Sequence, residues 1–165
     1  MTDSVLMQAA ASVRLLALDS DGVLTDGGVY LFDDGREFRR FNIKDGLGLQ
    51  RAMQAGIVVA IVSAAPAEIV LRRAAMLGVA YAAVGVKNKL DHLQGLWREL
   101  NINAAETAYM GDDLVDLPVL NAVGLPCAPA DAVDAVKSAS RFVSRQPGGY
   151  GAVRELCDLL IQARS

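Results

Sequence analysis

Asp19, Asp21, Ser63, the pair Lys87 and Lys89, Asp112 and Asp113 are the residues of this 165-residue chain whose types and placement could do chemistry. Asp19 and Asp21 stand in "LLALDSDGVLTDGG", where an aliphatic run goes straight into carboxylates and packing alone gives no reason for acids. "VVAIVSAA" reaches Ser63 at the end of its apolar run, "VKNKL" carries Lys87 and Lys89, and "MGDDLVD" brings Asp112 and Asp113. Taken singly, Asp19 or Asp112 could cap a helix or make an Asx turn, Ser63 could be a loop hydroxyl, and Lys89 a solvated lysine at a helix start. Together they fall at equivalent places in four successive units. Carboxylates brought together repel one another unless a cation is present, and Mg²⁺ takes oxygen ligands while touching substrate phosphate. Serine and lysine supply donors for phosphoryl oxygens. One aspartate can attack phosphorus, and a second, two residues on, can protonate the leaving oxygen and then deprotonate water. Phosphoryl transfer uses every member of the set.

Such a set works only if the fold brings it together. "VRLLALD", "GIVVAIVS", "VAYAAVG" and "ETAYMGD" are continuously apolar, as strands buried on both faces require. They alternate with "DGLGLQRAMQAG", "PAEIVLRRAAMLG", "KLDHLQGLWRELN" and "DDLVDLPVLNAVG", whose apolar residues recur at three and four; three of the four end on glycine and one on Asn101. This alternation predicts an α/β fold, a Rossmann-like doubly wound parallel sheet, closed by a strand "RFVS" and a helix "GAVRELCDLLIQA". Ligands of such sheets sit beyond the carboxyl ends of the strands, where these residues fall. "GGVYLFDDGREFRRFNIKDG" breaks the rhythm, and Asp34-Gly35 between two strand-like runs predicts a β-hairpin after the Asp19 loop. On its second strand Arg36 and Arg40 share one face and Arg39 the other. No insertion is long enough for a second domain, so residues 1–165 read as one.

Composition narrows the partners. Hydrophobic residues make up 53% and charged residues 21%, an ordinary globular balance. A net charge of -3 and a pI near 5.1 argue against a broad nucleic-acid or polybasic membrane surface. The start makes a poor secretory signal, the apolar runs are too short to span a bilayer, and Cys127 and Cys157 lie far apart without a CxxC pair. The expectation is a cytoplasmic chain with two reduced thiols and a small soluble substrate. His92 reads as a helix-surface residue and Trp97 as a packing residue.

The four motifs, in this order, resemble those of the haloacid dehalogenase superfamily of aspartyl phosphohydrolases. The resemblance covers nearly the whole chain. It implies that Asp19 is nucleophile and Mg²⁺ ligand, and that Asp21 is the acid/base and binds metal through its backbone carbonyl. It makes Ser63 and Lys89 phosphoryl-binding, Asp112 the third metal ligand, and Asp113 and Asp116 supports of the metal shell. Lys89, preceding an apolar helix, matches the family lysine better than Lys87. "DGVLTDGGVY", the hairpin, "NIKDGLGL" and "PGGYGAVRE" further resemble the capless branch that dephosphorylates eight- or nine-carbon 2-keto-3-deoxy sugar acids in lipopolysaccharide or sialic-acid-type biosynthesis. That implies 3-deoxy-D-manno-octulosonate 8-phosphate as substrate and a homotetramer whose neighbouring hairpin covers the site. Arg154 is a candidate for pairing with a ligand carboxylate. One departure is Ala64-Ala65, where the family usually has Gly-Arg after the hydroxyl residue. It removes an arginine suited to bidentate recognition and leaves open a nine-carbon acid or another small phosphoester. A non-catalytic Mg²⁺ or phosphate-binding module is the alternative of a different class.

Overall fold

Leu15–Leu18 form β1, and all four are buried because helices cover both faces of the sheet to which they belong. Leu16 and Leu18 point into one apolar layer and Leu15 and Ala17 into the other, as the two-residue period of a strand requires. The computed structural model describes residues 2–164. In chain order they form α1 (Thr2–Ala11), β1, β2 (Tyr30–Leu31), β3 (Glu37–Phe38), α2 (Ile43–Gln54), β4 (Val58–Val62), α3 (Glu68–Leu77) and β5 (Tyr81–Ala83). There follow α4 (Lys89–Leu100), β6 (Thr107–Met110), α5 (Leu117–Leu120), β7 (Leu125–Ala128), α6 (Asp134–Ala139), β8 (Phe142–Val143) and α7 (Ala152–Gln162).

The six-stranded sheet has the order β5-β4-β1-β6-β7-β8, with every pairing parallel. β1 lies in its interior, with Leu18 level with Ile61 of β4 and Met110 of β6. The expected doubly wound sheet is present. One apolar layer draws on α1, α2, α3 and α7, the other on α4, α5 and α6. Gly78 and Asn101, both in the left-handed region, end α3 and α4.

Three stretches, holding α1, α5, β7 and α6, differ from the sequence expectation. "DDLVDLPVLNAVG" does not form one helix: Leu114–Asp116 is a 3-10 turn and only Leu117–Leu120 is α-helical. Asp113 caps the turn, whose tighter winding directs Asp116 inward. β7 and α6 lie in a stretch, "LPCAPADAVDAVKSA", whose prolines and short apolar runs hid them. α1 precedes the first strand unannounced.

The hairpin forms where expected, with Tyr30 opposite Phe38 and Leu31 opposite Glu37. Gly35 takes φ +84° at its tip, and the Tyr30 and Phe38 rings stack at 4.5 Å. Tyr30 donates to Asp26 at 2.7 Å, which ties the hairpin to the loop after β1.

Candidate active site

Asp19 directly follows β1, and its backbone amide donates to Met110 O at 3.0 Å, extending the ladder by one residue. Its carboxylate accepts from the Ser20 amide at 2.7 Å through Oδ1 and faces Lys89 Nζ at 2.9 Å through Oδ2. Lys89 is the first residue of α4, behind the Asn88 cap, and is only 4% exposed. Its ammonium also meets Asp116 Oδ1 at 2.7 Å. Lys87, by contrast, is exposed.

Asp116 is fully used. Oδ1 accepts from Lys89 and from the Tyr109 hydroxyl at 2.6 Å, and Oδ2 accepts from the amides of Asp112 at 3.0 Å and Asp113 at 3.4 Å. It therefore orients the lysine and the Asp112 backbone. Carboxylate oxygens of Asp19, Asp112 and Asp116 nevertheless lie within 4.8 Å of one another. Burial, then the charge of Asp116, pushes Asp19 up to about 6. Burial, followed by Asp19, Asp116 and Asp113, pushes Asp112 up to about 7. Burial alone would lower Lys89, yet the two carboxylates outweigh it and hold the ammonium above its ordinary value. The charges of Asp19, Asp112 and Asp116 thus repel one another, and the single Lys89 ammonium does not offset all three. That donor set fits a hard divalent cation such as Mg²⁺. Gly22 at φ +82° is required beside it, because a Cβ there would overlap the Asp112 carboxylate.

Asp21 lies on the loop after β1 and is ion-paired to Arg39 Nε at 2.7 Å. The Arg39 side chain is 5% exposed and also reaches Glu37 at 2.8 Å. The hairpin thus contributes the residue that contacts the second aspartate, and the alternation of its arginines assigns Arg39 to this face. Arg36 instead pairs with Asp34, and Arg40 stacks over Tyr150 at 4.3 Å. Ser63 ends the run of β4 and is 1% exposed, its amide bonded to Ala83 O and its carbonyl to the Val86 amide. Ala64 is exposed and Ala65 half-buried, so no arginine rises there. Asp113 is exposed and binds the Leu114 amide at 2.7 Å.

Arg154, on the first turn of α7, pairs with Asp158 at 2.8 Å and lines a cleft of about 540 Å³ with Lys44, Arg145 and Tyr150. Asp19, Ser63, Lys89 and Asp112 are not in its wall. Gly148 and Gly149, before α7, are buried against the Asp21 loop. His92 is exposed, Trp97 half-buried, and Cys127 and Cys157 are buried free thiols. No helix among the described residues is long and apolar enough to cross a membrane.

Residues 82–153 match the family described as haloacid dehalogenase-like hydrolase. The chain is 43% identical over 159 residues, 96% of its length and 85% of the relative's, to 3-deoxy-D-manno-octulosonate 8-phosphate phosphatase of Escherichia coli strain B. Among solved structures it resembles the same-named enzyme of Moraxella catarrhalis, in complex with magnesium, phosphate and the KDO molecule. The TM-score is 0.96 at 35% identity, over 99% of this chain and 94% of that one. It also resembles a putative hydrolase of subfamily III A from Legionella pneumophila, with a TM-score of 0.97 at 39% identity over 99% and 90% of the two chains.

Proposed function

Since the chain belongs to the haloacid dehalogenase-like hydrolases and is a phosphoric monoester hydrolase, we propose that it removes phosphate from a 2-keto-3-deoxy sugar acid, 3-deoxy-D-manno-octulosonate 8-phosphate foremost. The observation that carries this is the Asp19, Lys89 and Asp116 cluster at the carboxyl ends of β1 and β6, on a chain 43% identical to a phosphatase of that ester.

Asp19 is the nucleophile. Lys89 holds its carboxylate in one orientation and, with Ser63, offers donors to the phosphoryl oxygens. Attack by Asp19 on phosphorus breaks the bond to the sugar oxygen, and Asp21 gives that oxygen its proton. Asp21 then takes a proton from water, which displaces the phosphoryl group from Asp19. Asp19, Asp112 and the backbone carbonyl of Asp21 would hold Mg²⁺, which would supply positive charge beside the transferring phosphoryl oxygens. Magnesium in the Moraxella relative supports the choice of metal. Asp116 acts by fixing Lys89 and the Asp112 amide, and Asp113 by capping the turn between them.

The hairpin exposes Val29, Leu31 and Phe32 at 52%, 73% and 49%, and Ile43 and Leu47 extend the apolar surface along α2. These residues support a homotetramer in which a neighbouring hairpin covers each site. Buried free thiols fit a cytoplasmic enzyme of lipopolysaccharide biosynthesis. Ala64 and Ala65 favour a second reading, a nine-carbon keto acid or other small phosphoester, because the guanidinium expected there is missing.

Phosphate release from a panel of sugar-acid and simple sugar phosphates, with Mg²⁺ and with EDTA, tests the proposal against Asp19→Asn. Preference for the octulosonate ester is expected. Equal low rates on every ester would leave a phosphatase of another substrate, and no release would favour a binding module.

A further inference from the structure

"FNIKDG" connects the hairpin to α2, and none of its residues enters the catalytic cluster. Asn42 is the N-cap of α2: its Oδ1 accepts from the Lys44 amide at 2.8 Å. Its Nδ2 leaves the helix and donates to Gly149 O at 3.1 Å. Arg40 Nη1 donates to the same carbonyl at 2.9 Å. Three residues on, Asp45, only 1% exposed, accepts from the Arg154 amide at 2.9 Å and caps α7, whose own cap, Gly151, has no side chain to do so. The start of α2 thus grips both ends of the segment 149–154.

That segment has no slack on its other side. Gly149 N donates to Val23 O at 3.0 Å. A Cβ on Gly149 would lie 2.5 Å from the Asp26 nitrogen and the Thr25 carbonyl carbon, and one on Gly148 would overlap the Gly22 carbonyl. Backbone lies on backbone, so a shift of Gly148 and Gly149 must be passed to residues 22–26. Asp21 projects from that same loop, and Gly22 abuts Asp112.

We infer that Asn42 is a positioning residue for the reaction: by holding the Gly149 carbonyl it fixes the loop that aims Asp21 at the leaving oxygen. The inference rests on the acid/base reading of Asp21. Asn42 touches neither substrate nor metal, and it acts through Gly149 and Val23. Misplacement of a proton donor hurts in proportion to how badly the leaving group needs a proton. An alkoxide needs it; p-nitrophenolate does not. A general loosening of the fold would slow both esters alike.

Asn42→Ser keeps a capping oxygen and loses the reach to Gly149; Asn42→Asp keeps the cap and loses the donor. The measurement is kcat/KM, which includes only the steps through departure of the first product, on 3-deoxy-D-manno-octulosonate 8-phosphate and on p-nitrophenyl phosphate. Both variants are expected to lose about tenfold on the sugar ester, within the range of a misaligned catalytic group, and less than about twofold on the aryl ester. Arg40→Met, which removes the other donor to the same oxygen, is expected to shift the ratio in the same direction and serves if either Asn42 variant does not fold. An unchanged ratio between the two esters overturns the inference. Asp21→Asn separates it from the underlying reading. A selective loss there without one in the Asn42 variants overturns the inference alone, whereas an equal loss there on both esters overturns the role of Asp21 and the inference with it.

Discussion

Lys89 and Asp116 meet at 2.7 Å with side-chain exposures of 3% and 0%, and Asp19 receives the same ammonium on its other side. A buried lysine shared by two acids cannot be removed quietly, because its loss leaves uncompensated charge in the interior. Lys89→Met is expected to cost about 3–5 kcal/mol of stability in metal-free protein, along with the activity. Lys87→Met, at an exposed position, should stay within about 0.5 kcal/mol of the parent. Urea denaturation of the two variants checks the contrast.

The acidic cluster makes metal-free stability depend on pH in a definite direction. Asp19 and Asp112 sit at about 6 and about 7 against an ordinary 3.8, so between these values the folded chain binds more protons than the unfolded one. Stability should therefore fall as pH rises through that window and level off above it. Asp45, raised by burial, adds to the same slope. Mg²⁺ binds the folded state and should flatten the fall. Melting curves in EDTA and in Mg²⁺ from pH 4 to 8 test this; parallel curves would contradict it.

Asp19→Asn removes the nucleophile and one of the mutually repelling charges. Turnover should drop by at least about four orders of magnitude, the scale on which loss of a covalent nucleophile is felt. The metal-free melting temperature at pH 8 should not fall. Single-turnover assays and calorimetry on one preparation give both numbers.

Arg39 fastens the hairpin to Asp21 at 2.7 Å. Arg39→Gln should release it, raising hydrogen exchange of the amides from Phe38 to Phe41 about tenfold, as expected for a charged hydrogen bond of ~1.5 kcal/mol, while amides of β1 keep their protection.

The exposed apolar hairpin carries a prediction about assembly. Leu31→Glu with Phe32→Glu should shift the mass measured by light scattering from four chains toward one, and should raise KM for the sugar ester if a neighbour completes the site. A parent mass already equal to one chain would remove the tetramer from the proposal.

The four strand-end motifs were legible because each closes an apolar run, and chain topology does the rest. The hairpin was legible from Asp34-Gly35, and Lys89 could be told from Lys87 only through the resemblance, as the match to the family lysine before an apolar helix. Asp116 was visible as an acid, but its four acceptor contacts depend on a 3-10 turn where the apolar spacing predicted a longer helix. Arg39 could be assigned to a face but not to a partner, since alternation says nothing about what lies opposite. The job of Asn42 was hidden altogether: the Gly149 oxygen it binds lies 107 positions away, and glycines in "PGGYG" read as freedom where the fold uses them as closeness.

The interior place of β1 also bears on how the protein is made. Its partners are Val58–Ile61 and Thr107–Met110, and the Asp19 amide itself waits for Met110. A nascent chain that has not yet delivered Met110 leaves one edge of the nucleophile's strand unpaired, a surface on which other chains can template. Lys89 emerges before its Asp116 partner, so the buried charges find each other only late in synthesis. A ribosome that pauses before Asp116 presents a polypeptide with the acid and the lysine of an enzyme but no place to keep them.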